Sequence, residues 1–173
     1  ARAWLCLAVF FLFLTGNIAL WAFLERIGAA IPIAAAQMGI VFAVLKLLGG
    51  VAAFSVAAVG DRAGQRAPYV VVLVGVAAGL ALLAGAQGFL SFALGAWIWE
   101  FAFTCGCVFQ AALIARHDVS GRAVVLIPAV FALGSMVGPG IAGNLVAGGS
   151  FASLLLLALA CTVVPVLAHS VGR

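Results

Sequence analysis

The sequence predicts an all-α integral membrane protein with six transmembrane helices. Apolar residues make up 68% of its 173 residues, and only eight basic and four acidic residues interrupt them. Soluble domains are about 45–50% apolar, and they could not hide so much apolar surface from water. In lipid each backbone group must bond within the protein, so apolar runs of about 20 residues form helices. The sequence lacks the alternation of about ten residues that is typical of a membrane β-barrel strand.

Charged residues, turn residues and run length set the boundaries of these helices within a single domain, residues 1–173. The linkers are Glu25 to Ala36, Gly60 to Ala67, Gln87-Gly88, Arg116 to Arg122 and Gly148-Gly149. The helices are predicted at about 4–25, 37–59, 68–87, 89–115, 123–147 and 150–168.

The first helix directly follows Arg2 and could be mistaken for a secretion signal. Its apolar run exceeds the usual apolar region of about 7–15 residues, and similar runs follow it, so it is predicted to span the membrane. The chain begins with Ala1 rather than Met, which we interpret as the mark of a fragment or a processed chain.

Basic residues predict the orientation of the six helices and of the chain ends. With six spans both termini lie on one side, and that side carries all the loop arginines except Arg26. Its arginines are Arg2, Arg62, Arg66, Arg116, Arg122 and Arg173. This asymmetry predicts cytoplasmic termini in a multi-pass protein of the inner (cell) membrane, with the lipid bilayer as its surroundings.

The composition argues against metal, cofactor and nucleic-acid binding. All four cysteines lie in apolar runs, as small buried side chains do, and Cys105 and Cys107 point about 200° apart on a helix. The basic residues are scattered over short loops rather than gathered on a surface. We therefore predict no metal site, no cofactor and no nucleic-acid partner.

A compact charged turn, Gly60 to Arg66, joins the second and third helices on the predicted cytoplasmic side. It resembles the loop signature G-x-x-x-D-R-x-G-R-R of the major facilitator superfamily. The matching positions are Asp61, Arg62, Gly64 and Arg66. Ala57 replaces the first Gly and Gln65 replaces an Arg, as in the weakened copies found in second halves of such proteins. A basic anchoring loop is the alternative interpretation.

The fifth helix has the order G-x-x-x-G-P-x-x-x-G through Gly134, Gly138, Pro139 and Gly143. Glycines four residues apart let helices approach closely, and the proline frees a backbone carbonyl and permits a bend. This run resembles that of drug-type antiporters of the superfamily. The charged turn, the basic loop that ends at Arg122 and this glycine-proline run follow one another along the chain in the same order as in the superfamily.

The resemblance covers essentially the whole chain and implies half of a twelve-helix transporter. Each half consists of two inverted three-helix repeats. The degenerate charged turn and the short tail favour the C-terminal half. The implied function is proton-coupled secondary transport of a small solute by alternating access, in which this half rocks against the other six-helix half. The charged turn and Arg122 would form a cytoplasmic gating loop.

Two charged residues, Lys46 and Glu100, lie inside predicted helices. Each costs about 2.5–3.5 kcal/mol near a helix centre, so neither is expected to face lipid. Both helices run inward, and both charges lie slightly on the outer side of the midplane. They could pair. A structural ion pair, or a protonated and inert glutamate, is the alternative to a functional site.

The resemblance also implies which helices line the central cavity, namely the first helix of each repeat. These two helices carry Asn17 and Glu100. We expect a substrate and proton site in which Lys46 tunes the pKa of Glu100. Its predicted residues are Asn17, Trp21, Lys46, Trp97, Glu100 and Thr104.

Two other functional classes are considered beside a carrier. An intramembrane serine hydrolase would use Ser135 with His169, but the surrounding run lacks G-x-S-G, so no catalytic residue and no enzyme activity are predicted. A non-transporting membrane scaffold subunit would need packing alone.

Overall fold

The computed structural model describes residues 2–64 and 67–171, and these are helical almost throughout. Their α-helices are α1 (Arg2–Ala29), α2 (Ala35–Val59), α3 (Ala67–Ala84), α4 (Phe89–His117), α5 (Arg122–Val125), α6 (Ile127–Val146) and α7 (Ala152–Val171). A short 3-10 helix, Gly60–Ala63, follows α2. No strand occurs within the described ranges, so the predicted all-helical class is confirmed.

Five stretches are long and apolar enough to cross a membrane, judged by length and composition. They are Arg2–Ala29, Ala35–Val59, Ala67–Ala84, Phe89–His117 and Arg122–Val146. The apolar helix at Ala152–Ala168 is slightly shorter. These helices are consistent with a multi-pass membrane protein.

The fifth predicted helix is divided in two. Leu126 separates α5 from α6, with φ −85° and ψ −7°. Pro128 lies in the first turn of α6, where a proline is tolerated because its missing N–H has no intrahelical acceptor. The break thus lies where Pro128 would remove a backbone hydrogen bond from a continuous helix.

Two helices, α1 and α4, lie at the centre of the packing. The first packs against α4, α6 and α7, whereas α4 packs against α1, α2 and α3; α3 also contacts α7. The most buried span is α1, and the least buried are α2 and α6. Phe54 on α2 is 79% exposed and Met136 on α6 is 73% exposed. Such outward apolar side chains suit a hydrocarbon environment.

Glycines allow the central helix α4 to approach α3 closely. A Cβ atom at Gly79 would lie 2.6 Å from the Cβ of Trp99, and one at Gly95 would lie 3.0 Å from the carbonyl oxygen of Gly79. No side chain fits at either position. Trp99 therefore packs closely against α3 and is fully buried.

Candidate functional site

Glu100 lies on α4 and is only 6% exposed. Its Oε2 atom is buried and has no hydrogen-bond partner. The neighbouring helix leaves room for the carboxyl group because residue 49 is a glycine. A Cβ atom there would lie 3.6 Å from Glu100 Oε1 and 3.6 Å from the hydroxyl of Thr104.

Lys46 is exposed, and its ammonium lies over the ring of Trp21, with Nζ 4.3 Å from the ring centroid. Phe42, one turn earlier on α2, meets the same indole at a centroid distance of 6.0 Å in a T-shaped contact. Both the lysine and the Trp21 side chain interact electrostatically with the carboxyl group of Glu100. The aromatic ring therefore links the cation of α2 with the acid of α4.

The two charged residues lie at the same level of the helix pair. Lys46 is the twelfth residue of α2, counted from Ala35, and Glu100 is the twelfth residue of α4, counted from Phe89. At about 1.5 Å per residue, each is about 17 Å from the start of its helix. We name Trp21, Lys46, Gly49, Glu100 and Thr104 the Glu100 cluster.

The carboxyl group of the Glu100 cluster lies where its charge must be compensated. An ionised carboxyl group with a buried, unpartnered oxygen is costly in a medium of low dielectric constant. Either a proton or a nearby cation must offset that cost. Lys46 supplies such a cation at an exposed position. Which of the two offsets the charge of Glu100, a proton or the ammonium, therefore depends on what else contacts the lysine.

Trp97 fixes the α4 side of the cluster to α2. Its Nε1 atom donates a hydrogen bond of 3.2 Å to the backbone carbonyl of Val41. About two to three turns further along the same helix pair, the Cys105 thiol approaches the carbonyl of Ala52 at 3.9 Å. The indole of Trp97 is half-buried and Thr104 is half-buried, so both border the exposed side of the pair.

Asn17 lies in the packed core and is fully buried. Its amide nitrogen donates to the carbonyl of Phe13 at 3.0 Å and to the hydroxyl of Thr162 at 3.1 Å. Its amide oxygen accepts a hydrogen bond of 2.9 Å from the indole of Trp99. Asn17 thus joins α1 to α4 and α7, and it contacts the residue next to Glu100 rather than the exposed side of Lys46.

Phe42, Trp99 and Thr162 were not predicted from the sequence. Gly49 could be predicted to share the face of Lys46, because it lies three residues further along the same helix. Trp99 and Thr162 could not, since their contacts with Asn17 span 82 and 145 residues of sequence.

The charged turn contains two glycines of positive φ, +50° at Gly60 and +66° at Gly64. Residues of L configuration rarely adopt this conformation. Arg62 is exposed. Arg66 lies outside the described residues, as does the side chain of Asp61. A cavity of about 230 Å³ adjoins the turn, and Gly60, Gly64 and Arg116 contribute to its lining.

Asp118 organises the loop that leads to Arg122. Its carboxyl group accepts hydrogen bonds from the backbone N–H of Val124 at 2.9 Å and from the backbone and hydroxyl of Ser120, at 3.2 and 2.9 Å. These bonds, the Val124 bond above all, lower the pKa of Asp118. Arg122 follows Gly121, whose φ is +72°, and its side chain is exposed.

The glycines of α6 differ in their surroundings. A Cβ atom at Gly138 would lie 2.7 Å from the carbonyl oxygen of Thr15, and one at Gly134 would lie 3.2 Å from Leu14 Cβ, so both face α1. A Cβ atom at Gly143 would have nothing within 4 Å. Pro139 lies inside the helix and is half-buried.

Ser135, considered above as a nucleophile, donates its hydroxyl to the carbonyl of Phe131 at 2.9 Å. The side chain of His169 lies outside the part that the structure describes. Within that part, no group of three or more His, Cys, Asp or Glu residues is arranged to hold a metal ion. Comparison with protein-family models, curated proteins and solved structures yields no match.

Proposed function

We propose that the chain is a six-helix half of a secondary active transporter of the major facilitator type, and that it moves a small solute together with protons by alternating access. The main observation in support of this proposal is the Glu100 cluster. A buried carboxyl group with one unpartnered oxygen lies within electrostatic reach of an exposed lysine. Ionisable groups inside a membrane domain usually mark ion or substrate pathways.

The pattern of helix neighbours supports an internal repeat. Exchange of α1 with α4, α2 with α6, and α3 with α7 leaves the set of principal contacts unchanged. The α1–α6 contact then becomes α4–α2, and α1–α7 becomes α4–α3, whereas α1–α4 and α3–α7 map onto themselves. Two inverted three-helix units would produce this pattern, and transporters of this type place their sites where the units meet.

The same proposal includes the orientation of the chain in the membrane and its assignment to one half of the transporter. With six spans, the charged turn and the loop before α6 would share a side with both termini, and the arginines of these two segments support a cytoplasmic location of that side. The weakened loop signature supports the C-terminal half, completed by a second six-helix half. The glycine contacts between α6 and α1 support a compact unit that rocks as one body.

In this mechanism Glu100 alternates between a protonated state and an ionised state. The proton neutralises the carboxyl group when it is sealed in the protein, and Lys46 stabilises the ionised form when the proton leaves. Because Lys46 is exposed and Glu100 is not, movement of the other half over this face would change the surroundings of the lysine first.

The test is proton movement in proteoliposomes that contain the intact protein and internal pyranine. Three poorly permeant probes are added in turn: p-aminohippurate, tetraethylammonium and glucose. We expect at least one of them to drive proton movement in the wild type. Glu100→Gln should abolish that movement, since it cannot bind and release the proton.

Gln110→Leu is the matched control. Gln110 lies on the same helix, is 3% exposed and also has a buried oxygen without a partner. It should leave proton movement intact. Equal movement in Glu100→Gln and wild type would reject proton coupling at this site, and no movement with any of the three probes would reject the transporter itself.

A further inference from the structure

The two charges of the Glu100 cluster differ in accessibility. Lys46 is exposed, whereas Glu100 is 6% exposed and adjoins Gly49 of α2. A solute that reaches this face therefore meets a positive charge first. The charge is also held in place, because the ammonium rests on the indole of Trp21 at 4.3 Å.

The face of α2 around Lys46 is open and carries small residues. Gly39 and Gly50 lie on the same side of the helix as Lys46, and a Cβ atom at either position would have nothing within 4 Å. The bulky exposed residues Leu47 and Phe54 lie about 80–100° further around the helix. The space beside the ammonium is thus bordered by small residues, and the larger side chains project elsewhere.

Aromatic rings border the same space. The Trp21 ring lies beneath the ammonium, and Phe42 meets that ring at a centroid distance of 6.0 Å. A ligand whose charge pairs with Lys46 would place the rest of its body against these rings. An apolar body is favoured at such a surface.

We propose that the solute is a small organic monoanion with an apolar body, and that its anionic group binds the ammonium of Lys46. This inference rests on the proposed function and specifies its substrate class. Lys46 provides the counter-charge and Trp21 positions it. The buried carboxyl group of Glu100 lies behind them and does not contact the solute.

The test is equilibrium binding to the intact protein in detergent, followed by tryptophan fluorescence. The probes share one ring and differ in charge: cyclohexanecarboxylate, cyclohexanecarboxamide and cyclohexylmethylammonium. They do not absorb where tryptophan is excited. In wild type we expect saturable binding of the carboxylate, with a dissociation constant at least about tenfold lower than that of the amide or the ammonium.

Lys46→Gln should raise the dissociation constant of the carboxylate at least about tenfold, because it removes the charged donor. Lys46→Arg should retain binding, because arginine is also a charged donor. Arg26→Gln is the matched control. Arg26 is another exposed cation over an aromatic ring, 5.4 Å from the centroid of Phe23, but it lies at the end of α1. Its removal should leave the affinity unchanged.

Three results would overturn the proposal: no saturable carboxylate binding in wild type, tightest binding of the ammonium probe, or unchanged carboxylate affinity in Lys46→Gln. Should that variant fail to fold, the ranking of the three probes in wild type decides alone. Binding requires no transport, so a failure here is distinct from a failure of proton coupling in Glu100→Gln.

Discussion

The indole of Trp99 donates a hydrogen bond of 2.9 Å to the amide oxygen of Asn17, between two residues that are both fully buried. The bond joins α4 to α1, and the amide nitrogen of Asn17 extends the connection to Thr162 on α7. Glu100 is the next residue after Trp99. A fixed Trp99 therefore fixes the rotation of α4, and with it the direction in which Glu100 faces α2.

Removal of the Asn17 amide should destabilise the protein. Asn17→Ala leaves the Trp99 N–H buried without an acceptor, and an unsatisfied buried donor costs about 1–3 kcal/mol. We expect a fall of that size in the free energy of unfolding, measured by far-UV circular dichroism in mixed dodecyl maltoside and SDS micelles.

Thr162→Val is the graded control for this prediction. It removes one of the hydrogen bonds of Asn17 but leaves the bond to Trp99. Single interhelical hydrogen bonds in membranes contribute about 0.6 kcal/mol on average, so its effect should be smaller. Equal stability of Asn17→Ala and Thr162→Val would show that the Trp99 bond contributes nothing.

The contrast between Gly138 and Gly143 gives a second prediction, on one helix. Gly138→Ala places a methyl group 2.7 Å from the Thr15 carbonyl oxygen and 3.0 Å from the Ala19 nitrogen, which are backbone atoms of α1. Since neither atom can move without displacing α1, the free energy of unfolding should fall by about 1–3 kcal/mol.

Gly143→Ala should instead raise the free energy of unfolding. Nothing lies within 4 Å of the added methyl group, and alanine is favoured over glycine in a helix interior by about 0.5–1 kcal/mol. The same micelle unfolding assay compares both variants with wild type. If the two substitutions change stability in the same direction, the close approach of α1 and α6 at Gly138 is not what limits residue size there.

The helices were predictable because their signal is local. Apolar runs of about 20 residues suffice to locate them, and run length alone placed Lys46 and Glu100 at similar depth. The break at Leu126 was harder to predict, since Pro128 lies within an otherwise continuous apolar run. The hydrogen bonds of Asn17 and the position of the Trp21 ring beneath Lys46 depend on helices meeting in space. No periodicity in the sequence encodes those contacts.

The loop before α6 supplies a prediction on pH, because Asp118 lies outside the membrane-spanning helices. Its carboxyl group accepts the backbone N–H of Val124, and this bond is the main cause of its lowered pKa. A carboxyl group with a lowered pKa in the folded state stabilises that state above its unfolded pKa, about 3.9 for Asp. The contribution is lost as the pH falls through the lower, folded-state pKa.

Amide hydrogen exchange at Val124, expressed as a protection factor, measures this effect directly. In wild type we expect constant protection at neutral pH and a loss of protection as the pH falls below the ordinary Asp range. Asp118→Ala should lack the protection at every pH, because the Val124 N–H then loses its side-chain acceptor. Asp118→Asn keeps an acceptor oxygen that does not titrate, so its protection should be independent of pH. Loss of protection at low pH in Asp118→Asn, as in wild type, would assign the titration to another group, and full protection in Asp118→Ala would show that the Asp118 hydrogen bond does not hold α5.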